Sequence, residues 1–169
     1  DWQLEEIDLI TYTELNENLE VFRYIHGFKS KKFYINRYYL HPVYRYKFFA
    51  IKKECEVKSI MVLRECSANK SKCIRIVDYI GKFSYIKNVS AELLLFLSRN
   101  NYEYIDILAA NIDFMPFSEA GFVNRMKDES IIIPNYFEPF LRENVSISYP
   151  YSSWFDETWK PQLFKGDAD

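Results

Sequence analysis

The chain has 169 residues, 49% hydrophobic and 27% charged, which suits one compact globular domain. Lys and Arg number 22 against 24 Asp and Glu, so the formal net charge is −2 and the basic excess that drives nucleic-acid binding is missing. The longest apolar stretches, 91–97 and 105–110, are too short to span a bilayer, and no charged start followed by an apolar run marks a signal peptide.

Residues 1–27 mix Leu, Ile and Phe with acidic side chains. Leu15, Leu19, Phe22 and His26 recur near helical spacing, which predicts a short amphipathic helix over 15–25 stopped by Gly27. A further helical turn or two is expected over 31–39. From Tyr46 the pattern changes to strands. Residues 46–53 and 57–64 form two of them, separated by a hairpin-length connection at 54–56. After a polar turn at 67–72, the Ile- and Val-rich stretch 73–80 completes three antiparallel strands.

Residues 89–99 predict a strong helix with Leu93, Leu94 and Leu97 on its apolar face and Ser90 or Asn88 as N-cap. The run 104–110, interrupted only by Asp106, has the composition of a strand covered on both faces. A strand, a helix and a strand in that order place the two strands parallel with a right-handed crossover. A short helix is expected over 114–120, ended by Gly121. Closing strands are expected at 130–133 and 145–149, with Pro134 and Pro139 between them.

The 14 Tyr, 14 Phe and 3 Trp suit either ring-filled strands and core or an aromatic groove for a sugar or nucleotide. The tendency of Tyr and Phe to be buried favours the core. Cys55, Cys66 and Cys73 form no Cys-x-x-Cys pair and lie in strand-like surroundings, as small hydrophobes in a reducing, cytoplasmic compartment. With only His26 and His41 as imidazole partners, no metal site is expected. The basic runs around Lys29, Lys31 and Lys32 and around Lys70 and Lys72 are expected to be solvated turns. Asp78 and Asp106 interrupt apolar strands, where a carboxylate is costly unless a backbone amide or an Arg meets it; Arg75 and Arg37 are the candidate partners. No nucleophile elbow or Walker-type loop is present, which leaves hydrolase and nucleotide triphosphatase readings unsupported.

Three local features join this element order. Arg37-Tyr38, His41-Pro42, Tyr44 and Tyr46 lead into a strand; Asn111 follows the 104–110 strand; Gly121-Phe122 comes ten residues after that Asn. Over about 33–150 the chain resembles the GCN5-related N-acetyltransferase (GNAT) superfamily, in particular GNAT-like domains associated with bacterial surface-polysaccharide gene clusters. Residues 164–169 are similar to the end of the last strand in some of these proteins. The resemblance implies an α/β (α+β) fold with a mixed sheet: antiparallel N-terminal strands, then a parallel splayed pair, with helices on both faces. The strands 73–80 and 104–110 would splay, and the gap would admit the pantetheine arm of acetyl-CoA or another acyl-CoA.

The implied cofactor segment is Tyr79, Ile80, Gly81, Lys82, Phe83 and Ser84, with Asn111 across the gap. The family's glycine-rich pattern lets backbone N–H groups approach a diphosphate; here that region offers Gly81 and Lys82 alone. The family often places a Tyr four residues before the Gly of Gly-Phe to protonate the leaving thiolate, and this chain has Phe117 there. Asp78 and Glu119 are then the candidate acid–base residues. Arg37, Tyr38 and His41 lie on the side from which an acceptor would approach. The resemblance thus implies a single domain over 1–169 acting as an acyl-CoA-dependent N-acyltransferase on a small amine such as an amino sugar. The alternative is a non-catalytic GNAT-like module that binds a ligand or packs against a second domain. A start at Asp1 and an end on Gly166-Asp167-Ala168-Asp169 read as a piece of a longer protein.

Overall fold

The computed structural model describes residues 1–24, 29–134, 141–145 and 161–167. The chain opens with a strand, β1 (Trp2–Ile7), followed by helix α1 (Leu9–Glu14) and a 3-10 turn at Glu20–Tyr24. This corrects the expectation of one helix over 15–25. Leu15, Leu19 and Phe22 do pack against the core, but the side chain of Asn16 accepts the Asn18 N–H at 2.9 Å, an Asx turn that competes with helix. Asp8 caps α1 instead, accepting the Thr11 N–H at 2.8 Å. Ile25, His26 and Gly27 lie outside the described residues. The second helical stretch forms as expected: α2 (Lys31–Tyr34), capped by Ser30, runs into a π-type turn at Ile35–Tyr39.

Strands β2 (Tyr46–Lys53), β3 (Glu56–Ala68) and β4 (Ser71–Gly81) form two successive hairpins. Each turn has two central residues with positive φ: Glu54 and Cys55 in the first, Asn69 and Lys70 in the second. Such turns match strand twist, which keeps the ladders long. Cys55 is therefore an exposed turn residue and not a strand residue, whereas Cys66 and Cys73 are buried opposite each other on β3 and β4.

A 3-10 segment, Phe83–Val89, leads into α3 (Ser90–Arg99) and on to β5 (Ile105–Ile107). Neither Ser90 nor Asn88 caps α3: Val89 holds the cap position, and the Ser90 hydroxyl donates to the Lys87 carbonyl. Leu93 is buried and Leu97 packs against the core, but Leu94 is exposed because Phe96 takes the core-facing position. β5 is followed by β6 (Ala109–Ala110), so the run 104–110 is two short strands broken at Leu108. Helix α4 (Met115–Glu119) ends before Gly121. Residues 130–133 form no strand: Ser130 lies in a turn, and Asn144 holds the irregular stretch after it through the Ile133 N–H and the Ile131 carbonyl. Of the strand expected at 145–149, residues 146–149 lie outside the described residues, as does Pro139. β7 (Leu163–Phe164) pairs antiparallel with β6.

Among the described residues, the main sheet has five strands in the order β1-β2-β3-β4-β5, antiparallel except for the β4–β5 pair. It carries a core on each face. One contains Ile74, Ile76, Tyr79 and Phe117 with Leu93 of α3; the other contains Tyr12 of α1, Tyr34 of α2, Tyr38, Phe48 and Val62. Among the described residues, six aromatic side chains are fully buried (Tyr12, Tyr34, Tyr38, Tyr79, Phe48 and Phe117), and further rings pack against both cores. Among the described residues, no helix is long and apolar enough to cross a membrane.

Arg75 on β4 faces Asp106 on β5 in register, with two charge-assisted bonds of 2.7 Å, and both side chains are buried. Removing one partner from such a pair strands a buried charge, at about 3–5 kcal/mol. Asp106→Asn should lower stability by that order in urea unfolding, and Arg75→Met combined with Asp106→Leu should recover most of the loss.

Candidate functional site: the cleft between β4 and β5

The parallel ladder lasts three residue pairs, Ile74–Ile105, Arg75–Asp106 and Ile76–Ile107. At the next residue β4 bulges: Leu63 pairs with Ile76 and Val62 with Asp78, leaving Val77 as the extra residue. A bulge bends a strand and increases its local twist. From here β4 continues through 77–81 without β5, while β6 turns to pair with β7. The two strands splay.

The gap is filled by the chain itself. After β7, a 3-10 turn, Lys165–Asp167, lies in the opening. The Lys165 N–H donates to the Leu108 carbonyl at 3.0 Å on one wall. On the other wall Gly166 lies so close that a Cβ there would stand 2.7 Å from the Val77 carbonyl oxygen and would overlap the Tyr38 hydroxyl. Arg37 donates to the Gly166 carbonyl through Nε at 3.3 Å and Nη2 at 3.1 Å. The Phe164 ring is buried against Phe83 at 6.0 Å between centroids.

Asp78 follows the bulge. Its Oδ2 accepts from Lys29 Nζ at 2.7 Å and the Tyr38 hydroxyl at 2.6 Å, and its Oδ1 accepts the Tyr79 N–H at 2.8 Å. Lys29 also meets Asp167 at 2.7 Å, so one ammonium joins the cleft wall to the inserted turn. Burial pushes the Asp78 carboxyl above its ordinary value of 3.8, while Lys29 and then Tyr38 pull it back. Arg37, Tyr38 and Asp78, singled out in the sequence, thus meet in one place, and a backbone amide does hold Asp78, as expected. Its ion-pair partner, however, is Lys29, while Arg75 serves Asp106 and Arg37 serves Gly166. Lys29 is not a solvated turn residue: its side chain is 9% exposed. Sequence reasoning missed Lys29, Gly166 and Asp167. Nothing local distinguishes them, because their roles arise from long-range contacts.

The other candidates lie around this cleft in structural roles. Asn111, at positive φ, donates its amide to the Pro161 carbonyl at 2.8 Å. Tyr79 is buried with its hydroxyl 2.9 Å from that of Ser59, and Ile80 belongs to the opposite core. Gly81 has φ +102, and a Cβ there would stand 2.8 Å from the Lys58 carbonyl, so packing against β3 accounts for this glycine. Lys82 pairs with Glu20 at 2.8 Å and Phe83 is core; Ser84 is exposed. Phe117 is fully buried among Tyr79, Phe83 and Phe122. Glu119 pairs with Lys87 at 2.7 Å. His41 accepts the N–H groups of Val43 and Tyr44 at its Nδ1, which makes it the lock of a turn. The 165–167 turn occupies space between the diverging strands, and the 79–84 segment has Gly81 as its one glycine. Among the described residues, no group of three or more His, Cys, Asp and Glu side chains is gathered for a metal.

No protein-family model matches the sequence, and no curated protein matches it. Among solved structures, the chain is similar to a GNAT family acetyltransferase of Staphylococcus aureus subsp. aureus USA300_TCH1516. The two share 15% identity at a TM-score of 0.52, over 73% of this chain and 92% of that one. The fold is GNAT-like. The GNAT-like frame thus has its splay where the sequence places it, between the strand bearing Asp78 and the strand bearing Asp106.

Two outcomes follow from these contacts. Folding favours the protonated form of a carboxyl whose folded value is raised, so this contribution is full below about 3.8 and is lost as pH rises through the raised value. The Tyr38 hydroxyl supports the ionised form, so Tyr38→Phe should cost about 1.5–3 kcal/mol at high pH and less near pH 4, read by urea unfolding at the two pH values. Gly81→Ala should destabilise by about 1–3 kcal/mol, because it adds a Cβ against backbone at a left-handed φ.

Proposed function

We propose that this GNAT-like domain is an acyl-CoA-dependent N-acyltransferase acting on a small amine, an amino sugar being the favoured class. The observation that carries the reading is the β4–β5 splay: the bulge at Val77 and the end of the ladder at Ile76–Ile107 make an opening of the kind that holds acyl-CoA in the resembled family. The likeness to a solved GNAT family acetyltransferase supports it. Arg37, Tyr38 and Asp78 converge on that opening, which gives it polar groups suited to orienting an amine. The amino-sugar class rests on the similarity to domains associated with surface-polysaccharide gene clusters. The reading places the activity in the cytoplasm, where acyl-CoA is available.

Incubation with acetyl-CoA and longer acyl-CoAs, together with a panel of amines that includes amino sugars, should release free CoA thiol and yield an acylated amine by mass spectrometry. Absence of product from every pair, with no acyl-CoA binding at millimolar concentration, overturns the reading.

A second reading has its own observation. Phe117 is buried in the core where the resemblance implies an acidic hydroxyl, and Lys82 is engaged by Glu20. A non-catalytic module that binds a ligand, or packs against a second domain, needs neither group free. Acyl-CoA binding without any acylated amine identifies that module.

A further inference from the structure

We infer that residues 161–167 are an intramolecular plug that competes with acyl-CoA for the β4–β5 cleft. The inference rests on the acyl-CoA reading and adds a regulatory state to it. The segment touches both walls and the residues around them. Its Lys165 amide takes the Leu108 carbonyl, Gly166 presses on Val77, and Asp167 accepts from the Lys29 ammonium that also binds Asp78. Farther out, the Pro161 carbonyl engages Asn111.

Close fit explains the residue at the centre. Gly166 is the one position in this turn where any side chain would collide with a cleft wall, through the Val77 carbonyl and the Tyr38 hydroxyl. The turn's own conformation is also fixed from within, since Asp167 accepts the Phe164 N–H at 2.8 Å. Its strand pairing, however, is short. β7 pairs with β6 through only two residue pairs, Ala109–Phe164 and Ala110–Leu163, and a 3-10 turn follows. A segment with few backbone bonds lies at the low-stability end of a fold and opens without global unfolding. While it is seated, only the open fraction of molecules binds ligand, so the apparent affinity falls by that fraction.

Gly166→Val in the full chain prevents seating, and Lys165→Pro removes the amide that meets Leu108. Calorimetric titration with acetyl-CoA should show about tenfold or greater tightening in both variants. Hydrogen exchange on the unaltered chain should show the Lys165 amide losing protection when acetyl-CoA is added. Circular dichroism checks that each variant is folded, and the Lys165→Pro chain and the exchange measurement decide the matter if Gly166→Val is not. Equal affinities, with the Lys165 amide protected in the complex, overturn the plug and leave the acyl-CoA reading standing. Weaker binding in the folded variants makes 161–167 part of the binding wall, which also overturns the plug. No binding by any of the three chains removes the acyl-CoA reading, and the plug with it.

Discussion

The buried pair of Arg75 and Asp106 is the constraint on which the arrangement turns. A carboxylate and a guanidinium removed from water hold their charges only when each satisfies the other, and here both bonds are short and in register across two parallel strands. That pairing fixes where β5 lies against β4 and therefore where α3 must cross. One pair later the ladder ends. Because β4 bulges at the residue after Ile76, the strands cannot continue in parallel, and the divergence begins from a pinned origin.

Beyond that origin lies a second buried carboxylate, and its solution differs in kind. Asp78 is served by a lysine, a phenol and a backbone amide drawn from three parts of the chain. An ammonium is a compact charge with three donors and no fixed fork, so Lys29 can bridge two aspartates at once where an arginine fork would favour one. The Arg75–Asp106 pair fastens two strands to each other, whereas the Lys29 centre joins the sheet to a segment that Arg37, Asn111 and two β6–β7 residue pairs also hold. Fold and occupancy of the cleft are thus governed by neighbouring charge clusters of different make-up.

Much of the frame was legible in the sequence. The change of pattern at Tyr46 located β2 at its observed bounds, and two polar breaks located the hairpins. The helix before an apolar run carrying Asp106 foretold the parallel pair, and Arg75 stood among the candidate partners for such a carboxylate. β1 was hidden because Glu5 and Glu6 stand together on an edge strand whose side chains meet lysines of β2, which blurs a period of two. Leu15, Leu19 and Phe22 misled for the opposite reason, since a helical period survived in a segment that Asn16 turns aside. Within the site, Asp78 announced itself as a charge in an apolar strand. Lys29 and Gly166 did not, because a surface-like lysine and a glycine near a polar end acquire meaning only from Tyr38, Val77 and Asp78.

The separation along the chain between the two sides of the cleft also orders events during synthesis. Arg37 and Gly166 are 129 positions apart, and both β4 and β5 leave the ribosome well before β7 does. Until 161–167 emerge, the β4 backbone at Val77 lacks the Gly166 contact that later covers it, and an uncovered strand edge can pair with another chain. Contacts of such long range close late because their loop entropy must be overcome first. The segment that closes the cleft is made well after the strands it meets. That edge is a hazard of the growing chain, lessened as the 165–167 turn finds Lys29.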